Sequence, residues 1–388
     1  MEYINEILSN LKKNNKYRGE FKKLQSPQKE KVVIDGREII LLGSNNYLGL
    51  CDHKEVKKAS MEAIEKYGVG AGGSRLTTGS YTLHSMLEEK IKDIKGTQKA
   101  LVFNTGYMAN LGIIQALCNK DWVIFCDKYN HASILDGCLL SGAKFLRYRH
   151  CDMDDLSYKL ENFKGKCNLI VTDGVFSMDG DIAPLDKIVE ISKKHNAVIM
   201  VDDAHGFGVL GKDGAGTASY FGVNSEIHIH MGTLSKAVGS IGGYAASEEY
   251  FIEYFKNFSR SFIFSTALPP SSVAASIKAL DIIKNEPLRR QRLLENSHRF
   301  KMELKNLGFK IPDTVTPIIP VIVGDEEKTL EFSRQLLYDR IYIPAIRPPT
   351  VPKGSSRLRI SITAAHAWED LEYVIERLKT TGRKLGLI

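Results

Sequence analysis

Between residues 99 and 246 short β-favouring runs alternate with helical runs, and this alternation is the strongest constraint on the fold. The runs 99-KALVF-103, 122-WVIFCD-127, 143–148, 169–173, 197–202 and 227–230 read as strands. Most are followed by stretches with the apolar spacing of a helix. A chain that alternates in this way builds a mainly parallel sheet with helices on both faces. Such sheets bind ligands beyond the carboxyl ends of their strands. The polar residues that stand out in this stretch all fall at a strand end or just past it.

Taken singly, each has two readings. Strand 99–103 runs into 104-NTGYMANLGIIQAL-117. Gly106 and Tyr107 then open a helix whose first N–H groups can hold an anion; ordinary N-capping by Asn104 or Thr105 explains the same letters. His131 in 128-KYNHAS-133 follows a strand, placed for a ligand or for a structural hydrogen bond. Ser177, Asp179 and Asp181 share the polar loop of 168-NLIVTDGVFSMDGDIAPL-185. Those acids do not match a calcium loop, so no metal is expected. Asp202 ends the strand of 197-AVIMVDDAHGFGVLG-211, with His205 in the turn. A carboxylate buried there needs a partner. A protonated pyridine nitrogen would be one, and a helix cap is the alternative. In 227-IHIHMGTLSKAVGSIGGYAA-246, Thr233, Ser235 and Lys236 precede Gly239, Gly242 and Gly243. A lysine among small, hydroxylic and apolar residues tends to lose its proton, and the neutral amine can form a Schiff base. A surface lysine on a Gly-rich turn fits as well. The loop 68-GVGAGGSRLTTGS-80 could cradle an anion or merely connect.

The remainder of the chain frames this stretch. Residues 1–30 read as a helix and polar arm, followed by a hairpin at 31–42 turning on Asp35-Gly36. The segment 44-SNNYLGL-50 reads as a polar turn leading into a helix near 54–67. Past residue 286 the character changes: helix 287–306, strand 317–323, helix 326–339, strand 341–346, the loop 347-RPPTVPKGSSR-357, strand 357–362 and helix 367–380 make a small α+β domain. The expected division is an arm at 1–48, a large domain at 49–285 and a small domain at 286–388. Net charge is +7, with the basic residues scattered, which favours anionic small ligands over a nucleic-acid groove. The six cysteines show no CxxC spacing and read as reduced thiols of a cytoplasmic protein. MEYINEILSNLKK is amphipathic and lacks the apolar core of a signal peptide. No run approaches the ~18 apolar residues of a membrane span.

Read together, 104-NTGYMAN-110, 130-NHAS-133, 174-GVFSMDGD-181, 201-VDDAHGFGVLG-211 and 233-TLSKAVG-239 form one set in one order. This set resembles the α-oxoamine synthases, pyridoxal-phosphate enzymes of the aspartate-aminotransferase fold (fold type I), from about residue 15 to the C-terminus. The resemblance implies a large domain built on a mainly parallel seven-stranded sheet and a small α+β C-terminal domain. It also implies roles. Lys236 anchors pyridoxal phosphate covalently, Asp202 pairs with its ring nitrogen and His205 with its ring hydroxyl. His131 stacks on the ring, and Ser177 lies close by. Gly106, Tyr107 and Thr233 hold the phosphate. Thr266 reaches the phosphate of a neighbouring subunit, which makes the enzyme a homodimer with shared active sites. Asn45 and Arg357 take the amino-acid carboxylate, and Arg18 and Thr350 meet the acyl substrate. Within the family, 344-PAIRPPTVPKGSSRLRISITAAH-366 is similar to the branch that joins L-alanine to a pimeloyl thioester in biotin synthesis. Coenzyme A and an acyl-carrier protein are both open as the acyl carrier. Glycine C-acetyltransferase activity is the alternative. A non-catalytic cofactor-binding protein is a more distant one, against which the intact lysine, both histidines and Asp202 argue.

Overall fold

The computed structural model describes residues 2–13, 17, 19 and 21–388, so Arg18 lies outside the described residues. Seven strands form the central sheet, in the order Lys99–Phe103, Gly243–Ser247, Ile229–Thr233, Val198–Asp202, Cys167–Asp173, Trp122–Asp127, Lys144–Tyr148. Gly243–Ser247 alone runs antiparallel to its neighbours. The expected mainly parallel sheet is therefore present, with one strand that the sequence reading did not list. That strand is GYAAS, too small and too poor in β-branched residues to announce itself. Its small residues answer a close approach, since a Cβ on Gly243 would lie 2.4 Å from the Thr105 carbonyl oxygen.

Both faces of the sheet are covered, which is why its strands read as continuous apolar runs. Along Cys167–Asp173, Leu169 and Val171 join one buried cluster with Ile113, Met200 and Phe255. Ile170, between them, joins the opposite cluster with Ile188, Ile199 and Val201. Helices Ala132–Ser141 and Glu249–Phe258, with the short Thr217–Tyr220 and Arg260–Ile263, went unanticipated.

The C-terminal region carries a three-stranded sheet in the order Ile318–Gly324, Ser356–Ser361, Ala345–Ile346. The strand expected over 341–346 splits in two. Ile341–Tyr342 pairs in parallel with Arg37–Leu41, whereas Ala345–Ile346 pairs with Ser356–Ser361. Pro344 stands at the break, where it lacks an N–H for either ladder. The N-terminal hairpin, Lys31–Ile34 with Arg37–Leu41, thereby joins the C-terminal region. Its turn places Asp35 (φ 51°) and Gly36 (φ 71°) in the left-handed region, as a two-residue hairpin requires. Helix Glu2–Lys13 leaves Ile4, Ile7 and Leu8 exposed.

One buried ion pair sets the turn that follows the central strand. Lys95 ends helix Thr82–Lys95, and its amine donates to Asp203 Oδ2 and to the Ala215 carbonyl, each at 2.7 Å. Both side chains are almost fully buried. Asp203 also accepts from the Thr217 hydroxyl at 2.6 Å. A Cβ on Gly206 would lie 2.1 Å from Asp203 Oδ1, and one on Gly216 would lie 1.6 Å from Oδ2. Those glycines make room for a carboxylate that the fold must bury and neutralise.

Candidate active site

At the carboxyl ends of the strands a cavity of about 240 Å³ is lined by Gly106, Tyr107, His131, Ser177, Asp202, His205, Thr233 and Lys236. The fold thus brings together the eight residues assigned to the cofactor within one subunit. A larger cavity, about 390 Å³, lies at the opposite ends of the strands, where Lys193, Glu226 and Gln98 line it and no such group of residues meets.

The anion end is built from a helix terminus. Thr105 is the N-cap of helix Gly106–Leu117, its hydroxyl accepting from the Met108 N–H at 3.1 Å. Asn104, the other capping candidate, instead donates to Ser265 Oγ at 2.8 Å. The first amides of a helix have no partner within it, so those of Gly106 and Tyr107 are available to an anion. Gly106 has to be small there, because a Cβ would meet Thr233 at 3.2 Å. Thr233 is buried, and its hydroxyl donates to the Gly242 carbonyl at 2.8 Å.

The opposite end holds a buried acid. Asp202 Oδ2 accepts from Asn110 Nδ2 at 2.7 Å and Oδ1 from the Ala204 N–H at 3.0 Å. Asp173 lies beside it in register on the neighbouring strand and accepts from the His131 N–H at 2.7 Å. Burial and the adjacent Asp202 charge push the Asp173 carboxyl well above the usual range. His131 caps helix Ala132–Ser141 and hydrogen-bonds Ser133 Oγ at 2.7 Å, so its structural and site positions coincide. Burial lowers its pKa, against the charge of Asp202.

Lys236 Nζ lies 2.8 Å from His205 Nε2, and His205 Nδ1 lies 2.6 Å from the Tyr47 hydroxyl. Burial lowers the lysine to about 8, with Asp202 and Asp173 acting in the opposite sense. Burial, and then Lys236 and Arg359, push His205 well below its ordinary value, so the imidazole is neutral.

The remaining assignments fall differently. Asn45 is half-buried, and its Oδ1 accepts from Arg359 Nη2 and from the Tyr47 hydroxyl, each at 3.2 Å. Arg357, expected at the amino-acid carboxylate, has a charged partner of its own. It pairs with Asp179 and donates from Nε to the Ser355 carbonyl at 2.9 Å. The arginine that reaches Asn45 and the Ser177 carbonyl is Arg359, two residues further along the same strand face. Thr350 is exposed on its loop, with its N–H donating to the Arg347 carbonyl, and does not line the cavity. Thr266 is exposed and bridges to Ser74 of the Gly-rich loop, away from the cavity walls of its own subunit. Sequence reading missed Tyr47, Arg359, Asn110 and Asp173. Asp173 had a legible signal, a carboxylate ending the strand before Asp202. Arg359 had half of one, a second arginine at strand spacing.

The residues fit pyridoxal phosphate. Asp202 is a buried carboxylate that, among the described residues, hydrogen-bonds only neutral donors. A protonated ring nitrogen supplies the missing cation. The helix terminus supplies the phosphate site, and a lysine of lowered pKa supplies the amine.

Residues 37–378 match the family described as aminotransferase class I and II. A Lysinibacillus sphaericus protein named 8-amino-7-oxononanoate synthase is 51% identical over 358 residues, 92% of each chain. Serine palmitoyltransferase from S. paucimobilis, solved with bound PLP-myriocin aldimine, superposes with a TM-score of 0.94 at 35% identity, covering 99% of this chain and 98% of that one. 8-Amino-7-oxononanoate synthase from Francisella tularensis gives 0.77 at 30% identity, covering 89% and 98%. The fold and site define a pyridoxal-phosphate enzyme, and the chain belongs to the class I and II aminotransferase family. Within that family it stands with the 8-amino-7-oxononanoate synthases, acyltransferases of biotin biosynthesis.

The lysine's environment predicts a pH profile. Below about 8 the amine is protonated, so its capture of an aldehyde, trapped with borohydride, should rise about tenfold per pH unit and level off above that pH. Asp202→Asn removes a charge that raises the lysine pKa, so its midpoint should move lower. A wild-type midpoint near 10.5 would contradict the assignment.

Proposed function

We propose that this enzyme condenses L-alanine with a pimeloyl thioester, releasing CO2 and free thiol and giving 8-amino-7-oxononanoate. The observation that carries the reading is the convergence of Lys236, Asp202 and His205 on one pocket, with the Arg359–Asn45 pair joined to His205 through Tyr47, in a chain whose relatives bear that name.

Pyridoxal phosphate, when bound, supplies an aldehyde for the amine of Lys236 and an electron sink for the pair left at the amino-acid Cα. The side chains do the rest. Asp202 faces the ring nitrogen with a buried negative charge and so holds its proton. The amides of Gly106 and Tyr107, with the Thr233 hydroxyl, hold the phosphate. His131, beside Ser177, would cover the ring, and His205 would meet its hydroxyl. The Lys236 amine would take the Cα proton, and a pKa of about 8 suits a base working near neutrality. Arg359, with Asn45, grips the carboxylate, in the role first given to Arg357. Arg18 and Thr350 are proposed for the acyl chain.

Arg359→Ala should raise the KM for alanine on the order of 30-fold or more, the cost of removing a charged hydrogen-bonding partner. Arg357→Ala should change it less, acting only through Asp179. The reverse order would restore the carboxylate role to Arg357.

We propose a homodimer in which Thr266 completes the neighbouring subunit's phosphate site. Thr266 is exposed beside Phe264, which is 72% exposed, and a second copy would cover both. Mixing Lys236→Ala subunits with subunits crippled at Thr266 should restore part of the activity. A fully active monomer excludes the arrangement.

A thiol-release assay across amino acids and acyl thioesters tests the reaction. Alanine with pimeloyl-CoA should exceed glycine with acetyl-CoA in kcat/KM. One methylene changes discrimination by only ~10–200-fold, so the acyl chain should carry most of the preference. If glycine with acetyl-CoA is faster, the activity is that of a glycine C-acetyltransferase. The TM-score of 0.94 makes L-serine with palmitoyl-CoA the necessary third arm.

A further inference from the structure

The cavity's lysine is the end of a hydrogen-bond chain whose other end is an arginine. The chain runs Arg359, Asn45, Tyr47, His205, Lys236, and its direction can be worked out from the arginine inward. A guanidinium only donates. The Asn45 atom 3.2 Å from Arg359 Nη2 is therefore the carbonyl oxygen, which only accepts. Tyr47 lies 3.2 Å from that same oxygen and so gives it the phenolic proton. The Tyr47 oxygen, its one proton committed, must then accept from its other neighbour, His205 Nδ1, at 2.6 Å. His205 is neutral, with one donor and one acceptor nitrogen. With the proton on Nδ1, Nε2 is the acceptor that faces the Lys236 amine at 2.8 Å.

We infer that Tyr47 is a positioning residue: by fixing the Nδ1–H tautomer of His205, it keeps the lone pair of the Lys236 amine free to attack. In the opposite tautomer, Nε2–H would donate into that lone pair and occupy it. The amine instead offers a hydrogen to His205 and turns its lone pair elsewhere. Tyr47 suits the task. It is fully buried, so no water competes for its hydroxyl. Its ring lies tilted at 57° to the imidazole, with centroids 6.0 Å apart, which leaves only the hydroxyl in contact with Nδ1. Burial keeps that hydroxyl protonated, above its ordinary pKa. The charge of Arg359 disfavours a second proton on His205. The arginine proposed for the substrate carboxylate thus also sets the polarity of the chain that ends at the catalytic amine.

The inference rests on Lys236 as the attacking amine, whereas the tautomer can be read without cofactor or substrate. In enzyme labelled with ¹⁵N-histidine, the His205 signals, assigned by their loss in His205→Gln, should show protonated Nδ1 and bare Nε2. Tyr47→Phe keeps the ring and removes the hydroxyl. It should populate the Nε2–H tautomer and slow aldehyde capture by Lys236 on the order of tenfold, the effect of one hydrogen bond. The loss should fall more heavily on the capture rate than on the KM for alanine, which Tyr47 reaches only through its hydrogen bond to Asn45. Protonated Nε2 in the wild-type spectrum overturns the inference, even if Tyr47→Phe fails to fold. So does a Tyr47→Phe enzyme with the wild-type tautomer and capture rate.

Discussion

The rest of the pocket answers to one constraint, a negative charge buried at the end of the central strand. Asp202 is 3% exposed, and Asn110 and Ala204 give it hydrogen bonds but no compensating charge. Burial, and then the charge of Asp202 beside it, drive Asp173 toward its protonated form. A strongly charged ammonium would fill the same cavity with a salt bridge, but burial lowers Lys236 to about 8. His205 is held neutral between them. The pocket therefore keeps one fixed negative charge and lines the space around it with groups that can be neutral near pH 8. Such a site is preorganised for a cationic ring nitrogen, because the charge partner is in place before any ligand arrives.

That arrangement depends on the residue next in sequence. Successive side chains of an extended segment point opposite ways, so Asp202 faces the cavity and Asp203 faces the protein behind it. Asp203 meets Lys95, Thr217 and the gap left by Gly206 and Gly216. The turn that carries His205 is thus tied down from below while Asp202 presents its charge above. A comparable device holds the 174–183 loop. His150 bonds Asp127 at 3.0 Å and Asp181 at 2.7 Å, with its ring between those of Tyr129 and Phe176. Burial opposes its charge, but the two carboxylates outweigh it and hold the imidazolium pKa up at about 12. Asp127, His150 and Cys151 stand close enough to suggest metal ligands, yet both imidazole nitrogens are already committed.

What could be read from sequence divides along a physical line. The sheet was legible because a parallel sheet buries both strand faces and leaves uninterrupted runs such as 169–173. The residues that share the cavity were legible because each sits at or just past a strand end within a distinctive local run, Asp202 in VDDAHG and Lys236 in TLSKAVG. Gly243–Ser247 was not legible as a strand, since its role depends on a close approach to Thr105 rather than on side-chain bulk. Tyr47 was hidden for a similar reason. In SNNYLGL it looks like one more turn residue, and only the fold brings it 2.6 Å from a histidine 158 positions away. Nor could spacing alone place the N-terminal hairpin beside Ile341–Tyr342, a pairing across some 300 residues.

The exchange of Arg357 for Arg359 shows most clearly where local pattern stops. Both sit on strand Ser356–Ser361 two residues apart, so both face the same way and carry the same charge. Nothing in SRLRIS distinguishes them. The distinction comes from the 174–183 loop, which presents the Ser177 carbonyl and the Asp179 carboxylate at the same two-residue interval. The two segments meet in opposite senses, Arg359 with Ser177 and Arg357 with Asp179. Only one of those partners carries a charge, so only one arginine is neutralised at the contact. Arg357 becomes a fastener between the two segments. Arg359 spends hydrogen bonds on a carbonyl, on Ser361 and on Asn45, none of which cancels its positive charge. An arginine that, among the described residues, hydrogen-bonds only neutral acceptors is the better candidate for an anionic substrate, and the difference between the two is made by the sequence of a loop about 180 residues away.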